Sequence, residues 1–166
     1  DVADTTPAGC QGKIDFLFVI SRDGPMDQLQ ERLIKAFPQF VATIQGKFDD
    51  FDYHIMVVDG DEGWGLSTCE PQCYDSETCD EVKEYPCGEL GVVTQCDQMI
   101  GAGNVFSAGA YAYNVPCKIA GGRRFLTSDQ PDLTEAFKCI AQIGVSGRGR
   151  LGEALAGAQV AIRSEE

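Results

Sequence analysis

The chain has 166 residues, 43% of them apolar, and a formal net charge of −13. That length suits one domain with a real core, and the apolar content argues against disorder despite the charge. An acidic surface repels phosphate backbones, which disfavours nucleic acid and anionic membrane as partners, and no apolar run approaches the roughly 20 residues that span a bilayer.

Residues 1–12 are a polar lead-in with Pro7, Gly9 and the first cysteine, Cys10. No charged-then-apolar leader precedes it, so the chain is expected to be a mature form. From Phe16 to Ile20 every residue is apolar, which predicts a strand buried on both faces in the middle of a parallel sheet. Gly24 and Pro25 stop it. Helical spacing then runs through Met26, Leu29, Leu33, Phe37, Phe40, Val41 and Ile44, predicting a helix over about 26–45. Pro38 within it removes a backbone donor and is expected to kink or split it. After an acidic loop at Asp49, Asp50 and Asp52, residues 53–58 form a second apolar strand. Strand, helix and strand make a right-handed βαβ unit over 10–63, with the two strands parallel.

In open α/β sheets ligands sit at the carboxyl ends of the strands. Ser21-Arg22-Asp23-Gly24-Pro25 occupies that place after the first strand, and Asp59-Gly60-Asp61-Glu62-Gly63 after the second. His54, alone in an apolar strand, is expected to be a packed core residue with no catalytic partner. Asp59 and Asp61 resemble the phosphoaspartyl opening of haloacid-dehalogenase-like phosphatases, but the Thr or Val of that motif is missing. They also resemble a calcium loop, whose carboxylates and glycine turn suit that ion, yet no bidentate Glu follows at the required distance. A solvated acidic loop is the preferred interpretation.

From 64 to 122 the periodicity fails, and six cysteines and many glycines suggest a disulfide-braced insertion. Glu77, Asp80, Glu81 and Glu84 give it an acidic half, either solvated or a docking surface for a basic partner. The eight cysteines are Cys10, Cys69, Cys73, Cys79, Cys87, Cys96, Cys117 and Cys139. No C-x2-C pair occurs and His54 is the sole histidine, so zinc is disfavoured. An even count in an acidic chain is expected to be fully oxidised, outside the cytosol. The expected pairing is Cys69, Cys73, Cys79 and Cys87 among themselves, Cys96 with Cys117, and Cys10 with Cys139.

Regular structure resumes over 123–166. Residues 123–127 suit a short strand. Pro131 suits the first turn of a helix whose buried stripe is Leu133, Phe137, Ile140 and Ala141, ended by Gly144. Ser146-Gly-Arg-Gly-Arg150 is a glycine-rich turn before a last helix marked by Leu151, Leu155, Ala158 and Ile162. It lacks the Gly-Lys-Ser/Thr of a phosphate-binding loop and follows a helix, so nucleotide binding is discounted.

The apolar strand, five-residue polar turn and helix over Lys13–Ile44 resemble the opening of a von Willebrand factor A domain. Asp15-Phe-Leu-Phe-Val-Ile-Ser-Arg22, Tyr53-His-Ile-Met-Val-Val-Asp59 and Phe137-Lys-Cys-Ile-Ala141 resemble cysteine-rich secreted members of that class from myxobacteria-like bacteria. The resemblance implies an α/β fold, a Rossmann-like open parallel sheet ordered 3-2-1-4-5-6. This chain would supply its N-terminal half with a disulfide-rich insertion, the remaining strands lying elsewhere. In the family the turn reads Asp-x-Ser-x-Ser and holds a divalent cation. Here Ser21, Asp23 and Pro25 stand at those three positions, and Ser146 stands where a later loop supplies a Thr. The resemblance therefore implies a degenerate metal-ion-dependent adhesion site, metal-free, with Asp23 neutralised by Arg148 or Arg150. The implied role is a secreted, periplasmic or cell-surface module for protein–protein adhesion or assembly, without catalysis or cofactor. Its protein partner would include the missing half or another subunit. The alternatives are a calcium- or magnesium-dependent adhesion module and an Asp59/Asp61 phosphatase-like enzyme.

Overall fold

A computed structural model describes residues 12–47, 51–60, 64, 86–145 and 156–159. Strand β1 (Lys13–Val19), helix α1 (Met26–Lys47) and strand β2 (Asp52–Val58) follow in order. β1 and β2 are parallel, in register from Lys13 opposite Asp52 to Val19 opposite Val58. The expected βαβ unit is therefore present. A two-residue strand, β3 (Leu126–Thr127), joins the other side of β2 with Leu126 opposite Ile55. The order is β1-β2-β3. β3 runs antiparallel, so this open sheet is mixed and not wholly parallel as expected. A parallel neighbour needs a crossover, whereas here the chain leaves the carboxyl end of β2 and comes back along it.

Strand alternation sorts the side chains onto two faces. Ile14, Phe16, Phe18 and Ile20 of the first strand segment join Tyr53, Ile55, Val57 and Leu126 on the core face. Both helices cover that face. α1 brings Leu33, Phe37, Phe40, Val41 and Ile44, and α2 (Leu133–Ala141) brings Leu133, Phe137, Ile140 and Ala141. The centre is aromatic: Phe37 and Phe137 stack with centroids 3.5 Å apart, and Phe18 meets Phe137 edge-on at 5.2 Å.

α1 is one continuous helix through Pro38, contrary to the expected split. Pro38 is exposed, while Phe37 is fully buried and Phe40 packs on Phe16 and Phe18. Burial on both sides of the proline holds the two halves on the sheet and offsets the lost backbone bond. Leu29, placed in the apolar stripe by spacing, is 49% exposed instead. Pro131 lies before α2 and outside its first turn; Asp132, in left-handed backbone, is the residue at the helix entry.

The opposite face carries Leu17 and Val19 of β1 and His54, Met56 and Val58 of β2. His54 is therefore not a core residue: it is half-buried there, its Nδ1 2.9 Å from Asp15 Oδ1, its ring 4.8 Å from that of Phe125. Period-two alternation decides this, since an apolar run with one polar residue does not say which face is covered.

The described part of the insertion has a small core of its own. Trp64, Phe106 and Ala108 are buried together, with Leu90 and Val93 against them, and Trp64 Nε1 donates to the Phe106 carbonyl at 3.1 Å. Short 3-10 turns cover Cys87–Val92, Gln95–Gln98 and Ala120–Gly122. Arg124 ties the insertion to the start of β3, donating to the carbonyls of Ala102 and Gly103 and to Asp97 Oδ1 at 2.7 Å. Gly103 allows that approach. Its φ is +83°, and a Cβ there would stand 2.5 Å from the Arg124 carbonyl.

Cys117 is disulfide-bonded to Cys139, with Cα atoms 5.7 Å apart. This overturns the expected pairing of Cys117 with Cys96 and of Cys139 with Cys10. Cys96 is free and exposed, so the expected full oxidation of the cysteines does not hold for it. The reason is spatial: Cys139 lies on the buried side of α2, and Cys117 packs against the core cluster to which that helix contributes Phe137, Ile140 and Ala141. Cys10, Cys69, Cys73 and Cys79, and the side chain of Cys87, lie outside the described residues. The bridge closes a separation of 22 residues, so Cys117→Ser with Cys139→Ser is expected to lower unfolding free energy by about 3 kcal/mol. Urea denaturation under non-reducing conditions measures it.

Candidate functional site

The carboxyl ends of β1 and β2 are the place the fold prepares for a ligand. The Ile20 amide donates to the Val58 carbonyl at 3.0 Å, carrying the pairing one residue past β1. The chain then turns. Ser21 is buried, and its Oγ accepts from the Asp23 amide at 3.2 Å. The Asp23 carbonyl accepts from the Met26 amide at 2.9 Å and opens α1. Asp23, Gly24 and Pro25 are exposed.

Arg22 is the centre of this end. It is only 4% exposed, and its Nε donates to Asp59 Oδ2 at 2.7 Å. Its Nη1 also reaches the Ala108 carbonyl at 3.4 Å. A buried guanidinium is tolerated because a carboxylate faces it and shares its charge. Arg22, Asp59, Cys96, Asp97 and Asn104 line one small cleft here. Asn104 fixes its wall, taking the Val57 carbonyl with its amide and the Ile140 carbonyl with Nδ2, both at 2.7 Å. Asp97 is committed on both oxygens, to Arg124 through Oδ1 and to the Thr94 amide and hydroxyl through Oδ2. Residues 156–159 are helical and sit close by; a Cβ on Gly157 would stand 2.8 Å from the Asp59 carbonyl.

A second polar device lies beside the turn. Gln30 is 2% exposed on α1. Its Nε2 donates to the carbonyls of Ser21 and Gly144, and its Oε1 accepts from the Gly144 amide at 3.0 Å. One amide thus fixes α1, the turn after β1 and the chain leaving α2 relative to one another.

The structure separates the residues expected at this site. Ser21 and Asp23 share the turn, and the Ser21 oxygen accepts from the Asp23 amide. Pro25 faces solvent and carries no ligand. Asp59, expected in a solvated acidic loop with a calcium loop as the alternative, is instead largely buried and paired with Arg22. Asp61, Ser146, Arg148 and Arg150 lie outside the described residues. The expected neutralisation of Asp23 by Arg148 or Arg150 therefore falls outside the described residues; the ion pair seen at this end joins Arg22 to Asp59. A hard divalent cation needs several free oxygens, and a guanidinium beside the position opposes it. Among the described residues no group of three or more His, Cys, Asp or Glu is placed to hold a metal.

Neither the Arg22–Asp59 pair nor the role of Gln30 is among the expected site features, although the sequence carries signals of both. Arg22 and Asp59 are opposite charges just past the ends of neighbouring parallel strands. Gln30 is a polar residue in a helical stripe between Met26 and Leu33, which in a core requires backbone partners.

The chain matches no protein-family model, no curated protein and no solved structure. Its class is the one the coordinates define: a mixed α/β protein with a three-stranded open sheet containing one parallel pair. No helix among the described residues is long and apolar enough to cross a membrane.

Proposed function

We propose that the chain is a non-catalytic protein-interaction module of the von Willebrand factor A type, acting in adhesion or assembly outside the cytosol. Its metal position is taken over by an internal ion pair. The observation that carries this reading is the state of β1. Among the described residues it pairs only with β2, although Phe16–Val19 is wholly apolar. Such an edge is a template for another strand. Two further features support the reading. The order β3-β2-β1 agrees with the first half of the order the resemblance implies, and the Cys117–Cys139 bridge suits an oxidising compartment.

The partner is then a polypeptide strand added beside β1. The Ile20 amide points at β2, so by alternation Phe18 does too, and the amides of Leu17 and Val19 point to the open edge. In the monomer, hydrogen exchange at Leu17 and Val19 is expected to be fast, and at Phe18 and Ile20 slow. At high concentration the chain is expected to associate and protect the first pair. Leu17→Pro removes an outward donor, which an edge strand tolerates, and is expected to leave a folded monomer. Equal protection of all four amides in the monomer would mean that the chain closes its own edge, and would sink the proposal.

A further inference from the structure

A groove between α1 and α2 lies apart from β1. It has a volume of about 470 Å³, and its lining includes Asp27, Glu31, Ile34, Lys35, Tyr111 and Lys138. That size is in the range of sites that enclose a side chain or small molecule. Tyr111 caps it with 65% of its surface exposed. Its backbone is left-handed, with φ +61°, a conformation that a residue with a Cβ rarely adopts and that concentrates at functional sites.

The backbone that carries the exposed ring is held in place. Asn114 accepts the Gly109 amide and donates to the carbonyls of Gly109 and Ala112. Gln142 Nε2 donates to the Tyr111 carbonyl at 3.2 Å. Ala112 bridges to Ile143, and the Val145 amide bonds to the Ala110 carbonyl at 3.0 Å. Gly144, at φ +77°, lets the two segments touch: a Cβ there would be 2.5 Å from the Ala110 carbonyl. The loop thus presents a preorganised aromatic face, the kind of residue that dominates binding surfaces.

The groove's charges decide what fits. Lys35 is paired with Glu31 at 2.6 Å, and that hydrogen bond holds the Glu31 carboxyl below its usual range. Lys138 lies 3.7 Å from Glu135 and over the Tyr113 ring. Asp27 makes no ion pair among the described residues. A carboxylate without a partner, an aromatic face and the apolar wall of Ile34 together suit a cation on an aliphatic stem. The net charge of −13 draws a basic partner towards it.

We propose that this groove binds an arginine or lysine side chain of a protein partner, with the cation between the Tyr111 ring and Asp27 and its methylenes over Ile34. The site uses none of the residues of the β1 edge, so either proposal stands or falls alone. The probe is N-acetyl-arginine N-methylamide, followed by NMR, with the citrulline analogue as a neutral near-isostere. Saturable shifts are expected at Tyr111 and the Gln142 side-chain amide, with citrulline about tenfold weaker. Asp27→Asn is expected to weaken arginine binding about fivefold. Tyr111→Gly removes the ring while relieving the left-handed backbone, so Tm is expected to hold or rise while binding is lost. Equal binding of citrulline, shifts that spread over the acidic surface without saturating, or unchanged binding by Tyr111→Gly would each overturn the proposal.

Discussion

Phe137→Ala is expected to cost about 3–5 kcal/mol of unfolding free energy. Phe137 is 0% exposed and lies where three elements meet. It stacks on Phe37 of α1 and meets Phe18 of β1. Its removal leaves a cavity that α2 cannot fill by collapsing, because the Cys117–Cys139 bridge holds Cys139 two residues away. Phe37→Ala should cost a similar amount, and the double variant less than the sum, since both remove the same stacked pair. Urea denaturation of the two single variants and the double variant gives the cycle. Additive losses would show that the rings do not share one contact.

Asp59→Ala is expected to destabilise the chain by about 3–5 kcal/mol, because it removes a carboxylate that meets a buried guanidinium at 2.7 Å. The side chains of Arg22 and Asp59 are 3% and 13% exposed, so water cannot replace the lost partner. Arg22→Met should cost less, since Asp59 lies nearer to solvent. The double variant Arg22→Met with Asp59→Leu is expected to recover much of the loss, as replacement of a buried ion pair by packed apolar groups is often close to neutral. The same cycle tests the metal question. If Asp59→Ala were neutral and calcium raised Tm in the wild type but not in Asp23→Ala, the turn would be a cation site and the ion pair incidental.

Much of the fold was legible because its signals are local. The apolar run at Phe16–Ile20, the helical spacing from Met26 to Ile44 and the second run at 53–58 gave the βαβ unit, and the structure moves the strand and helix ends by only a few residues. The stripe Leu133, Phe137, Ile140 and Ala141 likewise marked α2. Pro38 misled because propensity counts only the lost bond, whereas Phe37 and Phe40 bury on either side of it. The site was less legible. Arg22 is legible as a charge that opposes a cation beside Ser21, Asp23 and Pro25, but its carboxylate partner lies 37 residues away.

The sequence by itself determined the parallel pair, its crossover helix and the position of the polar turn at the sheet's carboxyl end, since hydrophobic period and turn residues act over a few neighbours. Tertiary structure alone decided which charges meet, which cysteines pair and which way β3 runs. Arg22 and Asp59 are 37 residues apart, Gln30 and Gly144 are 114 apart, and Cys117 reaches Cys139 while Cys96 stays outside. The first depends on β1 and β2 lying side by side and the others on the path of the chain back to α2 after β2, and no local preference specifies either.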